Sequence, residues 1–347
     1  MSHKITNRQK TIVNQFTYEK EYKIGDIQLF HDLENISLAT LKRDLSILTK
    51  SGYILLSGES RSSSYGLSSK GLIHRDIQNS PVYQNTTINS YNFDLFSILE
   101  KENLFTDDEF GLLNDATEIF KENSKNATDT IFKKELERFI IELSWKSSKI
   151  EGNTYTLLNT ERLIREGIVS KENTENETIM ILNHKKSFSY ILECEDILSF
   201  RELENIHRLL VEDLGINHGI RKAGVGITGT RYIPLGIRAS IEEETRRMID
   251  VIKSKEDYFS RALIAVLCIS YLQSFEDGNK RTARIFANGI LVKGGLAPLS
   301  YRDIDEAKYR EAMLVFYEQN SIEAFKKIFV EQYVFSCHTY NIAGALR

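Results

Sequence analysis

Apolar residues recur three and four positions apart along most of the chain, and only three prolines interrupt it, Pro81, Pro234 and Pro298. That spacing gathers apolar side chains onto one face of a helix of 3.6 residues per turn. The chain therefore reads as mainly α-helical. Residues 8–17 form an amphipathic helix with Ile12, Val13 and Phe16 turned inward. Ile24-Gly25-Asp26-Ile27 opens a second helix. Ser37 has the hydroxyl that suits an N-cap, and Leu38, Leu41, Leu45 and Leu48 behind it share one face. Thr40, Lys42, Arg43 and Ser46 occupy the opposite face, and Gly52 ends the helix. Residues 53–56 (Tyr-Ile-Leu-Leu) then read as a strand, 58–64 as a polar turn, and Tyr65-Gly66-Leu67 as the returning strand.

Three helices followed by a two-stranded hairpin resemble a winged helix-turn-helix domain over residues 1–75, an α+β unit. Residues 37–50 would be its recognition helix and 58–64 its wing tip. The charge distribution agrees. Residues 1–75 carry eleven Lys/Arg against seven Asp/Glu, a local +4, whereas the whole chain is at −4. DNA contact through Thr40, Lys42 and Arg43 is the expectation, with a scaffold used only for protein contact as the alternative. A homodimer follows from the habits of such domains.

Residues 76–130 read as linker and helical connection, with the Asn/Ser-rich stretch Gln78–Asn92 as the linker proper. From 131 to 340 helix follows helix, with one exception. Val225 to Ile233 alternates around a Thr-Gly turn and reads as a short β-hairpin whose free edge could accept an extended segment of a partner.

Composition adds little and excludes some classes. An apolar share of 41% and a charged share of 27% are those of an ordinary soluble protein. Cys194, Cys268 and Cys337 are too far apart for a zinc spacing or a disulfide framework. The polar start, MSHKITNRQK, has no signal-peptide core. No apolar run reaches the roughly 18 residues of a membrane span. The expected location is cytoplasmic.

The candidate chemistry lies in residues 271–284, YLQSFEDGNKRTAR. Gly278 permits backbone conformations that other residues resist, and the segment from Thr282 onward is helical in pattern. Residues 278–281 therefore sit at a helix N-terminus, where free N–H groups and the helix dipole favour an anion. Arg281 and Arg284 are three apart and can fork onto phosphate oxygens. Asp277 suits a magnesium ion shared with phosphates, and Asn279 offers an amide donor. A capped, salt-bridged helix start would need fewer of these groups. Asp, Gly, Asn, Lys, Arg and Arg within eight residues favour a nucleotide triphosphate site.

SFEDGNKRTAR resembles the signature loop of the Fic family, His-x-Phe-x-Asp/Glu-Gly-Asn-Gly/Lys-Arg-x-x-Arg, at Phe275, Asp277, Gly278, Asn279, Arg281 and Arg284. Ser147 to Asn153 (SSKIEGN) resembles that family's inhibitory helix, here near 144–153 and before the core. The resemblance covers about residues 140–335. It implies a Fic-type helical bundle that binds ATP and Mg2+ and moves AMP to a protein hydroxyl. Gly278, Asn279, Lys280, Arg281 and Arg284 would hold the nucleotide and Asp277 the metal. Ser147, Glu151 and Gly152 would form the inhibitory motif, with Glu151 pairing Arg284. Gly226, Ile227, Thr228, Gly229 and Thr230 would form the flap on which a protein target docks.

Three positions depart from the pattern. Gln273 stands where the family has its catalytic histidine, and an amide cannot act as a base near neutral pH. This implies weak or absent transfer. Of the seven histidines, only His218, just before the flap, is a candidate substitute, and His207 reads as an ordinary helix residue. Ser274 replaces the usual proline. Lys280 gives the Gly-Asn-Lys-Arg form of the Doc branch, which transfers phosphate. Besides a weak adenylyltransferase, the alternatives are a nucleotide-responsive DNA-binding regulator and a Doc-like phosphotransferase.

Overall fold

A computed structural model describes residues 5–30, 32–33, 35–59, 62–78, 87–125 and 128–346. The chain is mainly helical, with one three-stranded sheet among the described residues. It divides into two compact units. One comprises residues 1–102 with 227–233 and 311–325, the other 103–226, 234–310 and 326–347.

The smaller unit begins with α1 (Asn7–Asn14), β1 (Glu21–Tyr22), α2 (Ile24–Gln28) and α3 (Leu38–Lys50), followed by β2 (Ile54–Ser57), β3 (Ser64–Leu67), α4 (Ser69–His74) and α5 (Leu95–Lys101). Ser37 caps α3 as its sequence suggests, its Oγ accepting from Thr40 N at 3.2 Å. The antiparallel sheet has the order β1-β3-β2, with Ile54 opposite Leu67 and Tyr22 opposite Tyr65. Ile12, Val13, Phe16, Leu41, Leu45 and Leu48 are all buried. Leu38 is not: at the first helical position it lies ahead of the packed stripe and is 43% exposed. Lys42, Arg43 and Ser46 are exposed and Thr40 is half-buried. Residues 60 and 61, in the expected wing tip, lie outside the described residues.

Asp44 takes a place in the buried stripe of α3 and joins it to α1. Arg8 Nε and Nη2 reach its two carboxylate oxygens at 2.6 and 3.2 Å, and Gln9 Nε2 donates at 3.0 Å. Burial pushes the Asp44 carboxyl up, but its hydrogen bonds to Arg8 and Gln9 outweigh that, and its pKa is lowered. A lowered folded pKa stabilises above the ordinary carboxylate range, and that contribution is lost as pH falls through the folded value. Asp44→Ala is expected to cost about 2 kcal/mol at neutral pH, read by urea denaturation, with a smaller difference in acid.

The smaller unit runs past residue 75, the expected domain end. The buried Arg75 donates from Nη1 to Phe16 O at 2.9 Å, and from Nη2 to Gln319 Oε1 at 2.7 Å and Gln319 O at 3.0 Å. Ile88 N donates to Glu318 O at 2.6 Å, and Ser90 makes an isolated parallel pairing with Ile233. Of the expected linker, residues 79–86 lie outside the described residues.

The hairpin expected at 225–233 is absent. Gly229, with φ +87°, turns the chain, but Thr230 Oγ1 and Arg231 N both donate to Glu318 Oε1, at 2.6 and 3.1 Å, and Ile233 N donates to Asn89 O at 2.9 Å. Groups that a hairpin would pair with each other are held by other segments.

The larger unit contains α6 (Asp107–Ser124), α7 (Asp129–Ile150), α8 (Leu157–Glu166), α9 (Glu175–Glu193), α10 (Phe200–Val211), α11 (Arg238–Ser254), α12 (Tyr258–Leu272) and α13 (Asn279–Lys293). Two further helices, α14 (Glu306–Gln319) and α15 (Glu323–Thr339), contribute residues to both units. Every residue from Ala262 to Leu272 is buried, so α12 is apolar all round and forms the centre of this unit. Residues 273–278 join it to α13. No helix among the described residues is long and apolar enough to cross a membrane.

Candidate functional site

The loop between α12 and α13 is left-handed at both ends. Gln273 caps α12 with φ +51°, and Gly278 precedes α13 with φ +79°. A Cβ at 278 would lie 3.1 Å from Val211 Cγ1 and 3.4 Å from Arg281 Nη2, so position and conformation both call for glycine.

Asn279 faces the loop. Its Oδ1 accepts from Phe275 N at 2.9 Å, and its Nδ2 donates to Phe275 O and Gln273 Oε1 at 2.9 and 3.0 Å. Gln273 Nε2 donates to Ser270 O at 2.6 Å. Both ends of the Gln273 amide are thus taken up, one by the last turn of α12 and the other by the first residue of α13. Ser274 is fully buried with its hydroxyl 2.8 Å from that of Thr245, a contact open to serine and closed to proline.

Two side chains that the periodic pattern does not flag hold this loop. His207 of α10 stacks on Phe275 with centroids 3.8 Å apart and rings 6° from parallel. Its Nε2 lies 3.0 Å from Asp277 O, a carbonyl that can only accept, so Nε2 bears the proton. Burial pushes the His207 pKa down to about 4, leaving it neutral at neutral pH. The buried Arg221 donates from Nε to Gln273 O at 2.5 Å and from Nη1 to Ala223 O at 2.7 Å.

Arg281 and Arg284 are 3% and 0% exposed and point inward instead of standing on the surface. Arg281 Nη2 is 3.5 Å from Asp277 Oδ2, while its Nη1 is buried and has no hydrogen-bond partner among the described residues. Arg284 is clamped by the end of α7: Nε donates to Ser147 Oγ, and Nη2 to Ser147 O and Glu151 Oε1, each at 2.8 Å. Lys280 Nζ lies 3.4 Å from Glu151 Oε2. Burial pushes the Glu151 carboxyl up, but Arg284 and Lys280 outweigh it and its pKa is lowered. Gly152 follows with φ +97° and lets the chain leave the helix at once.

Gln273, Asp277, Gly278, Asn279, Lys280, Arg281, Arg284, Ser147, Glu151 and Gly152 therefore all belong to the larger unit, as does Gly226. Residues 227–230 belong to the smaller one, as do Thr40, Lys42 and Arg43. Asp277 is 68% exposed. Among the described residues no group of three or more His, Cys, Asp or Glu could hold a metal ion.

The profile of the Fic/DOC family matches residues 197–291. The chain is 25% identical over 178 residues to a protein adenylyltransferase Fic of Nematostella vectensis, covering 48% of this chain and 41% of the relative. It is 23% identical over 203 residues to a protein adenylyltransferase Fic of Culex quinquefasciatus, covering 56% of this chain and 40% of the relative. The chain thus spans about two fifths of the length of the curated relatives it matches. Among solved structures, a Fic family protein of Desulfovibrio desulfuricans superposes with a TM-score of 0.57 at 19% identity, covering 67% of this chain and 74% of that one. A Fic domain containing signaling protein of Bacteroides thetaiotaomicron gives 0.55 at 18%, covering 67% and 97%. The fold is that of these structures.

Proposed function

We propose that this chain is a nucleotide-binding protein whose larger unit is built like a protein adenylyltransferase, with Gln273 leaving AMP transfer weak or absent. The observation that carries the reading is the Arg281 guanidinium, buried at the N-terminus of α13 with one nitrogen unmatched. A buried donor of that kind calls for an anion, and the names of the relatives supply the class, a nucleotide.

In this reading Gly278 and Lys280 line the phosphates with Arg281. Asp277 is the one carboxylate for magnesium, whose other ligands would be phosphate oxygens and water. Arg284 is the γ-phosphate ligand, and Glu151 keeps it from that role. Asn279 acts by shaping the loop. A protein target would dock at 226–230.

A second reading, a nucleotide-responsive regulator that binds DNA through Thr40, Lys42 and Arg43, is favoured by the inward lock of the Gln273 amide. Such a chain keeps the anion loop and gives up the chemistry. The Doc-like alternative rests on Lys280 alone.

Calorimetric titration of MgATP into the chain and into Glu151→Gly tests the proposal. Binding by both is expected, tighter in Glu151→Gly by about 5- to 150-fold. Absence of binding to either removes the nucleotide reading, and equal binding removes the inhibitory role of Glu151.

A further inference from the structure

Resting on the inhibitory role just proposed for Glu151 and Arg284, we propose that His184 is a positioning residue of that clamp. It fixes the direction of the Ser147 hydroxyl so that its oxygen is held ready for Arg284.

The argument follows hydrogen-bond polarity along α9 and α7. His184 is fully buried. Its Nδ1 lies 2.8 Å from Met180 O, which can only accept, so Nδ1 carries the proton. Burial pushes the His184 pKa down to about 3, so the ring is neutral and Nε2 is a bare acceptor. Ser147 Oγ, 2.8 Å from Nε2, must then donate its hydroxyl proton there. That leaves the lone pairs of Ser147 Oγ for Arg284 Nε at 2.8 Å. Ser148 Oγ, 3.3 Å from Nδ1, is the other polar group at the ring.

The chain of donors thus runs one way: Arg284 to Ser147, Ser147 to His184, His184 to Met180. A serine hydroxyl rotates freely until something fixes it, and a buried acceptor at one side is such a constraint. Without His184, the Ser147 proton loses its acceptor and the oxygen its fixed orientation. The hold on Arg284 then weakens and the open form gains population.

The sign of the effect separates this role from a structural one. Loss of packing would weaken nucleotide binding, whereas loss of a clamp residue tightens it. MgATP affinity is measured by calorimetry for the wild type, His184→Leu and His184→Gln, each with and without Glu151→Gly. One hydrogen bond's worth of clamp predicts that His184→Leu binds about 2- to 13-fold more tightly. His184→Gln, whose amide oxygen can accept from Ser147, stays near the wild type. In the Glu151→Gly background the leucine substitution adds less than it does alone.

If Glu151→Gly itself leaves affinity unchanged, the inhibitory reading of Glu151 fails first. If Glu151→Gly tightens binding and His184→Leu does not, the inference about His184 is overturned. Nitrogen NMR of the wild type with labelled histidine gives a check that needs no variant: His184 is expected with Nδ1 protonated and Nε2 not, and a protonated Nε2 sinks the proposal.

Discussion

A histidine at position 273, in a chain that also carries Glu151→Gly, is expected to raise transfer of label from ATP to protein by about a hundred- to ten-thousand-fold over Gln273 in the same background. The backbone already suits it. Position 273 has φ +51°, and histidine is among the non-glycine residues enriched at positive φ. The imidazole supplies what the amide lacks, a nitrogen that takes a proton near neutrality. The exchange removes the Gln273 bonds to Ser270 O and Asn279, yet Asn279 keeps both of its bonds to the Phe275 backbone. The loop therefore has support left. ATP labelled at the α- or the γ-phosphorus separates AMP transfer from phosphate transfer. Undiminished MgATP binding with no gain in either label would mean that the missing base does not limit the reaction.

Arg284→Met is expected to lower stability by about 3 kcal/mol at neutral pH, because removing one partner of a buried ion pair strands the other. Glu151 would keep Lys280, 3.4 Å away, and the more distant charge of Arg281, and the hydroxyl and carbonyl of Ser147 would lose the Arg284 donors. Adding Glu151→Gln should recover part of the loss, since the stranded group is then neutral. The pH dependence follows from the lowered pKa of Glu151. Its contribution is present above the ordinary carboxylate range and disappears as pH falls through the folded value. Denaturant midpoints of the wild type and Arg284→Met should therefore converge in acid. A constant gap would mean that the guanidinium acts through packing and the Ser147 contacts, not through its charge pairing.

Features that depend on neighbours in sequence were legible before the structure. The Ser37 cap, the buried Leu41, Leu45 and Leu48 of α3 (though not Leu38) and the conformational demand at Gly278 each follow from a few adjacent residues. What failed depended on distant partners. Val225 to Ile233 alternates as a strand does, but Glu318, 88 residues from Thr230, takes the groups that would have paired across the turn. Spacing put Arg281 and Arg284 on one side of α13, and α7 turned out to cover Arg284. The Asn279 amide was as plausible facing a phosphate as facing its own loop. His184 and His207 carry no local signal. Their protonation is decided by the Met180 and Asp277 carbonyls, and no periodicity predicts where those carbonyls end up.

The discontinuous make-up of the smaller unit bears on how the chain is made. The Arg75 guanidinium meets Gln319 244 residues later. At about 5–20 residues per second of synthesis, roughly 10–50 seconds pass between the two. During that interval the Arg75 guanidinium can have Phe16 O at Nη1, while Nη2 lacks Gln319. Thr230 likewise waits for Glu318. The smaller unit thus completes its structure only after its last segment, residues 311–325, has emerged, and a nascent chain halted before residue 311 would hold it unfinished.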